Sequence, residues 1–253
     1  MKLIMNADDF GLTESVNLAI ADCFEAGIVQ STTVMMNQPG TAHAAQLYQQ
    51  GLVNNVGLHF TVTAGRPLLL ASEVPSLVDE NGYFLSQSEL LNKRDVCSKE
   101  VMSELEAQYS AAIEAGFELT HIDTHHFGGI YPGLKQAFIQ FANRIGIPVR
   151  RVDFIEPDQQ GLSVATPDVF DARFFDAGAT LSNLQTLLLE HTQQFPEGCV
   201  EFMCHPAREV TDELTSLSGY LTKRVEEWQL LTSPELKSWL KQHDIQCVSF
   251  NHI

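Results

Sequence analysis

Apolar and polar positions follow a repeating order along this chain: a short apolar run, a polar or glycine-rich turn, then a stretch with helical spacing. Residues 3–6 form a short apolar strand that closes on Ala7-Asp8-Asp9. Thr13 then suits a helix N-cap, and Val16, Leu18, Ala19, Ile20, Cys23 and Phe24 make one apolar face that stops at Gly27. Residues 31–36, rich in Thr, Val and Met, predict a second strand. A helix is expected over 39–50 and a third strand over 56–62, carrying Gly57-Leu58-His59-Phe60. Residues 64–94 break the rhythm, with Pro67, Pro75 and Asn81-Gly82 among scattered apolar positions, and read as an insertion over one face. The order then resumes. A helix over 96–115 ends at Gly116, and a strand over 119–123 leads into Thr124-His125-His126. A helix over 134–145 ends at Gly146, and a strand over 149–154 holds Arg150 and Arg151. Residues 156–178 read as irregular. A helix over 181–195 is followed by a strand over 200–203 that leaves through Cys204-His205-Pro206. Helices over 221–231 and 234–243 and a strand over 247–250 complete the chain.

Strands alternating with helices predict a parallel sheet. About seven strand–helix units, with no linker and no short repeat, predict one α/β domain over residues 1–253. The expected architecture is an irregular (β/α) barrel, closed or nearly closed, with the insertion after the third strand. No Gly-x-Gly-x-x-Gly follows the first strand, which argues against a dinucleotide site.

Composition narrows the partners. The net charge is −17, so phosphate backbones and anionic lipid are repelled, and neither nucleic acid nor membrane is expected. No apolar run is long enough to span a bilayer, and acidic residues arrive too early for a signal peptide. The five cysteines are odd in number and lack a Cys-x-x-Cys pair, which fits reduced thiols in a cytoplasmic protein.

In parallel α/β folds, chemistry gathers beyond the C-terminal ends of the strands. Four such exits here carry acid or imidazole groups: Asp8-Asp9, His59, Asp123-Thr124-His125-His126 and His205-Pro206. Two imidazoles and a carboxylate make a plausible divalent-metal site. Such an ion would activate water and polarise a carbonyl. A second carboxylate could take the proton and a further imidazole could serve the leaving group. Each residue also has a plainer reading. The Asp pair could cap a helix, His59 could be a core histidine, and His205 could be a turn residue. The coincidence of four exits favours chemistry.

Other polar residues are weaker candidates. Arg66 could reach a substrate or anchor the insertion, while Asn37 and Asp153 lie at strand ends. His43, His191 and His243 fall in helical stretches and read as surface residues, His121 is ambiguous, and His252 lies near a terminus. The Phe127-Gly128-Gly129 turn would let backbone approach a ligand.

Taken together, Asn6-Ala7-Asp8-Asp9-Phe10-Gly11, Ser31-Thr32-Thr33, Gly57-Leu58-His59-Phe60, Thr120-His121-Ile122-Asp123-Thr124-His125-His126 and Met203-Cys204-His205-Pro206 resemble the YdjC-like carbohydrate deacetylases, nearest to the bacterial chitooligosaccharide deacetylases. The resemblance covers nearly the whole chain. It implies a metal held by Asp9, His59 and His125, with Mg²⁺ the ion usual in the family, although this donor set suits Zn²⁺ by its chemistry. By analogy with other sugar deacetylases it implies Asp8 as general base, with His205 as general acid. It also implies removal of an N-acetyl group from small chitin-type sugars such as N,N′-diacetylchitobiose in the cytoplasm. Where the family commonly continues with further histidines, this chain has Phe127-Gly128-Gly129, which bears on the sugar more than on the reaction.

Three further readings stay open. A non-catalytic sugar sensor would bind a disaccharide without turning it over. A metal-dependent phosphoesterase would release phosphate, using Arg66 or Arg150. A homodimer, common among barrel enzymes, leaves no mark in the sequence. The insertion is expected to limit substrate length, favouring di- and trisaccharides over polymer, unless it only packs on the barrel through Leu68, Leu69, Leu77 and Phe84.

Overall fold

The computed structural model of the chain describes residues 1–151 and 161–253. Its elements run β1 (Lys2–Phe10), α1 (Glu14–Ala26), β2 (Ser31–Val34), α2 (Thr41–Gln49), β3 (Val56–Phe60), α3 (Gln87–Asn92), α4 (Ser98–Glu114) and β4 (Ile122–Thr124). They continue with α5 (Lys135–Ile145), β5 (Val169–Asp171), α6 (Leu181–Gln194), β6 (Cys199–Cys204), α7 (Asp212–Leu217), α8 (Thr222–Leu231), α9 (Pro234–Gln242) and β7 (Gln246–Cys247). The strands form one sheet in the order β4-β3-β2-β1-β6-β5, and every pairing is parallel. This is the irregular (β/α) barrel expected from the pattern. Parallel strands are covered on both faces, which explains why β1 is buried from Leu3 through Phe10 instead of alternating.

Local chemistry sets the element ends. Thr13 is extended and its hydroxyl accepts the Val16 N–H, starting α1, and Gly27 in the left-handed region ends it. Val16, Ala19, Ile20 and Cys23 then face the sheet and are fully buried. Each large side chain of that kind contributes roughly 1.5–3 kcal/mol on burial. Among the described residues, no helix is long and apolar enough to cross a membrane.

Two expectations need correction, and a third is described only in part. Of the strand expected over 149–154, the described residues 149–151 show one parallel bridge, from Val149 to Ile122, and the rest, Asp153 included, lies outside the described residues. Part of the stretch expected to be irregular is β5, whose three residues are too few to show a period. The last strand forms earlier than expected, over Gln246–Cys247, and pairs with Lys2 and Leu3 of β1. That edge of β1 is free there because β2 pairs only with Asn6 onward.

The insertion is anchored through polar contacts and apolar packing. Leu77 and Phe84 are buried, whereas Leu68 is exposed. The buried Glu104 carboxylate of α4 accepts the Leu68 and Leu69 N–H groups. Arg66 donates to the carbonyls of Asn81 and Gly82 and stacks on the Tyr83 ring at 4.0 Å, so it is the anchoring charge. Asn37 likewise holds the carbonyls of Ala64 and Arg66.

Candidate active site

Two successive carboxylates in a regular strand would point to opposite faces. Here the register of β1 shifts between Ala7 and Phe10, and Asp9 adopts φ 68°. This bulge aims Asp8 and Asp9 at the same mouth. His59 and Asp123 are register partners on β3 and β4, so their side chains are neighbours. The His59 Nδ1 atom lies 2.6 Å from Asp123 Oδ1. With Nδ1–H donating to that carboxylate, the Nε2 lone pair is free to face outward.

His59 Nε2 is 3.3 Å from Asp9 Oδ1, His125 Nδ1 is 3.1 Å from the same oxygen, and the two ring nitrogens are 3.2 Å apart. Three donors sharing one ion at about 2.0–2.2 Å stand roughly 3.0–3.5 Å from one another. Among the described residues, buried Asp9 Oδ1 has no partner in hydrogen-bonding geometry despite these close nitrogens. Burial alone would push the His59 pKa down, yet Asp123, Asp9 and Asp8 push it up to about 10. The local field therefore calls for positive charge at this point. The residues present fit a divalent cation. A second acidic grouping, Asp8, His59 and Asp123, is filled differently, because the Arg150 guanidinium lies against both of its carboxylates.

Asp8 is held ionised. Burial opposes this, but Arg150 grips it through two bonds of 2.7 and 2.6 Å and keeps its carboxyl well below the usual range. Asn6 Nδ2 donates to Asp8 Oδ1 at 2.9 Å. The Asn6 amide is oriented by His121 Nε2, 3.0 Å from its carbonyl oxygen. His121 is fully buried and stacks on Phe250 with ring centroids 3.8 Å apart, and a Cβ on Gly57 would meet its ring at 2.6 Å. Burial, then Arg150, keeps His121 neutral. Its ambiguity in the sequence resolves to a support for Asp8.

His205 Nε2 lies 3.8 Å from Asp8 Oδ2. Burial pushes the His205 imidazole down to about 4, against the pull of Asp8 and Asp9, so it is neutral near pH 7. The His125 and His126 rings lie with centroids 3.8 Å apart and planes tilted by 34°. His126 and Phe127 both adopt positive φ, 52° and 57°, in a bend held by the Tyr131 hydroxyl, which donates to the His126 carbonyl.

Asp8, Asp9, His59, His125, His126 and His205 line a cleft of about 700 Å³ with Thr63, Gly65, Tyr83, Gln87, Phe175, Tyr220 and Arg224. All five residues singled out for chemistry, Asp8, Asp9, His59, His125 and His205, meet there. His191 does not: it is buried away from the cleft against Asp171, which corrects its reading as a surface residue. Sequence reasoning missed Arg224, whose Nη2 holds Asp9 Oδ2 at 2.7 Å, and Glu227, which accepts the main-chain N–H of His205. Both sit on α8, where charged residues at helical spacing resemble a solvated face.

Comparison with known proteins shows the family. The YdjC-like protein family matches residues 2–242. A carbohydrate deacetylase of Thermoanaerobacter pseudethanolicus is 34% identical over 250 residues, covering 98% of each chain. A chitooligosaccharide deacetylase of Yersinia pestis is 39% identical over 256 residues, covering 98% of this chain and 97% of its own. A solved protein from Enterococcus faecalis, provisionally named a cellobiose-phosphate cleavage protein, superposes with a TM-score of 0.90 at 31% identity and covers 99% and 98% of the two chains. With a match along almost all of its length, the chain belongs to the YdjC-like protein family.

Proposed function

We propose that this protein removes the N-acetyl group from small chitin-type sugars such as N,N′-diacetylchitobiose, releasing acetate. The chain is a carbohydrate deacetylase. Asp9, His59 and His125 would hold one divalent ion, with Asp8 as the general base and His205 as the general acid. The observation that carries the reading is the convergence of three donor atoms, one of them the orphaned Asp9 Oδ1, beside an ionised carboxylate and a neutral imidazole. When bound, the ion would polarise the acetyl carbonyl and make a nearby water more acidic.

The chain's own groups manage the proton. Asp8 is ionised in the resting site and accepts the proton of the attacking water. His205 is neutral there, so the proton it passes to the departing amine must come from the reaction, and Asp8 is the neighbour that collects one. The carbonyl C–N bond breaks, leaving acetate and a free sugar amine. Arg224 and Arg150 hold the two carboxylates in place from behind.

The phosphoesterase alternative loses its support. Arg66 is spent on the insertion and Arg150 on Asp8, Asp123 and Glu201. A sensor needs no matched base and acid. We place the enzyme in the cytoplasm, acting on imported sugars.

The test is acetate release from N,N′-diacetylchitobiose after chelation and reconstitution with Mg²⁺ or Zn²⁺, alongside elemental analysis of protein purified without added metal. Two imidazoles favour Zn²⁺ or a similar ion by their chemistry, whereas the family habit is Mg²⁺. Asp8→Asn is expected to lose roughly 10²-fold or more in rate while still binding the ion. Full activity of that variant with unchanged metal content would remove Asp8 as the base. Tight sugar binding without acetate under either ion would restore the sensor.

A further inference from the structure

Phe175 leaves 40% of its surface exposed inside a cleft whose floor is charged. The fold immobilises this ring without burying it. Tyr220 stacks on it with centroids 4.5 Å apart and planes 18° from parallel. The next residue, Asp176, adopts a left-handed φ of 51°, and its N–H donates to the Tyr220 hydroxyl oxygen at 3.0 Å. That hydroxyl in turn donates to Glu227 Oε1 at 2.5 Å, and Glu227 Oε2 accepts the main-chain N–H of His205 at 2.5 Å. Phe175 and Tyr220 meet the His205 imidazole edge-on, at 5.4 and 5.7 Å between centroids. Four side chains from three separate segments thus form one frame, which fixes the exposed ring relative to the imidazole.

We propose that Phe175 is the platform for the pyranose ring that carries the acetylated nitrogen. The inference rests on the deacetylase reading and names the subsite that reading requires. A pyranose presents axial C–H groups of slight positive charge on one face, and an aromatic face is negative, so the two stack. A ring resting on Phe175 has its nitrogen substituent beside His205, where the amine must collect its proton. The frame explains why the aromatic is held at this spot: a mobile ring would bind sugar without aligning the nitrogen. Small-molecule clefts combine such apolar walls with a few fixed polar groups, as here. Tyr83, on the insertion side of the cleft, has one face taken by Arg66 and, among the described residues, no comparable link to His205.

The test compares the metal-loaded wild type with Phe175→Ala and Phe175→Trp. Truncating a side chain this exposed spares the core, and thermal melting checks that the fold is retained. Two readouts are taken: KM and kcat for acetate release from N,N′-diacetylchitobiose, and saturation transfer by NMR to the sugar-ring protons of the same disaccharide on metal-free protein. Phe175→Ala is expected to raise KM about tenfold and to lose the transfer, with Phe175→Trp restoring both. Unchanged KM and transfer in a folded Phe175→Ala protein overturn the platform while leaving deacetylation intact. Transfer that depends on Phe175 in a wild type releasing no acetate upholds the platform as a sugar site and overturns the hydrolytic reading instead.

Discussion

Glu227 is fully buried, and its two oxygens accept the main-chain N–H of His205 and the Tyr220 hydroxyl. Burial outweighs these bonds and the nearby Arg224, raising its pKa from 4.5 to about 7. The folded protein therefore keeps a proton that the unfolded chain gives up near pH 4.5. Stability from this group is complete below that pH and is lost as pH rises through about 7. The wild type should lose on the order of 3 kcal/mol from this source between pH 4.5 and 8, and Glu227→Gln, which cannot ionise, should lose none of it. Thermal melting of both proteins across that range checks this, and parallel curves would show that Glu227 stays charged in the fold. At this scale the sequence was informative about some residues and silent about others. Asp8, Asp9, His59, His125 and His205 were legible because strand exits are few and their positions follow from the apolar pattern. Glu227, Tyr220 and Arg224 were not, because a polar residue on a helix looks the same whether it faces water or a buried acid.

Among the elements, β1 and the insertion shape the site most. The β1 bulge at Asp8-Asp9 lets one strand deliver two carboxylates to one mouth, and nothing in the residue order marks it, since Asp9 is not a glycine. The insertion was legible as an interruption of the alternation, and the sequence offered packing and a place beside the cleft as alternatives, whereas the structure combines the two. It packs through Leu77 and Phe84, and it also brings Gly65, Tyr83 and Gln87 to the cleft. A wall in that position would limit how far an oligosaccharide can extend. The expected outcome is turnover of di- and trisaccharides of N-acetylglucosamine with little on polymeric chitin, and a relaxed preference when residues 83–88 are shortened. Acetate release measured across chain lengths in both proteins checks it. Equal turnover of long and short oligomers by the intact enzyme would leave the insertion as packing alone.

At the level of the whole molecule, Arg150 joins parts of the barrel distant in sequence. Its guanidinium binds Asp8 on β1, Asp123 on β4 and Glu201 on β6, and lies 4.8 Å over the Phe170 ring of β5. Removing it leaves buried carboxylates unpaired, which costs about 3–5 kcal/mol, or on the order of 10 °C in Tm. Arg150→Met should show this loss at pH 8 and recover part of it at pH 5, where the orphaned acids can protonate. Melting curves at the two pH values test it, and a variant as stable as the wild type at pH 8 would show that the cluster carries no net stability. The sequence alone determined the alternation of strands and helices, the barrel they imply, and which side chains could do chemistry, because these depend on local periodicity and residue type. Only the tertiary structure decided the spacing of the three candidate ligand atoms and the charges of Asp8, His205 and Glu227. Those depend on burial and on partners a few ångströms away, such as Arg150 and Asp8, which lie 142 residues apart along the chain.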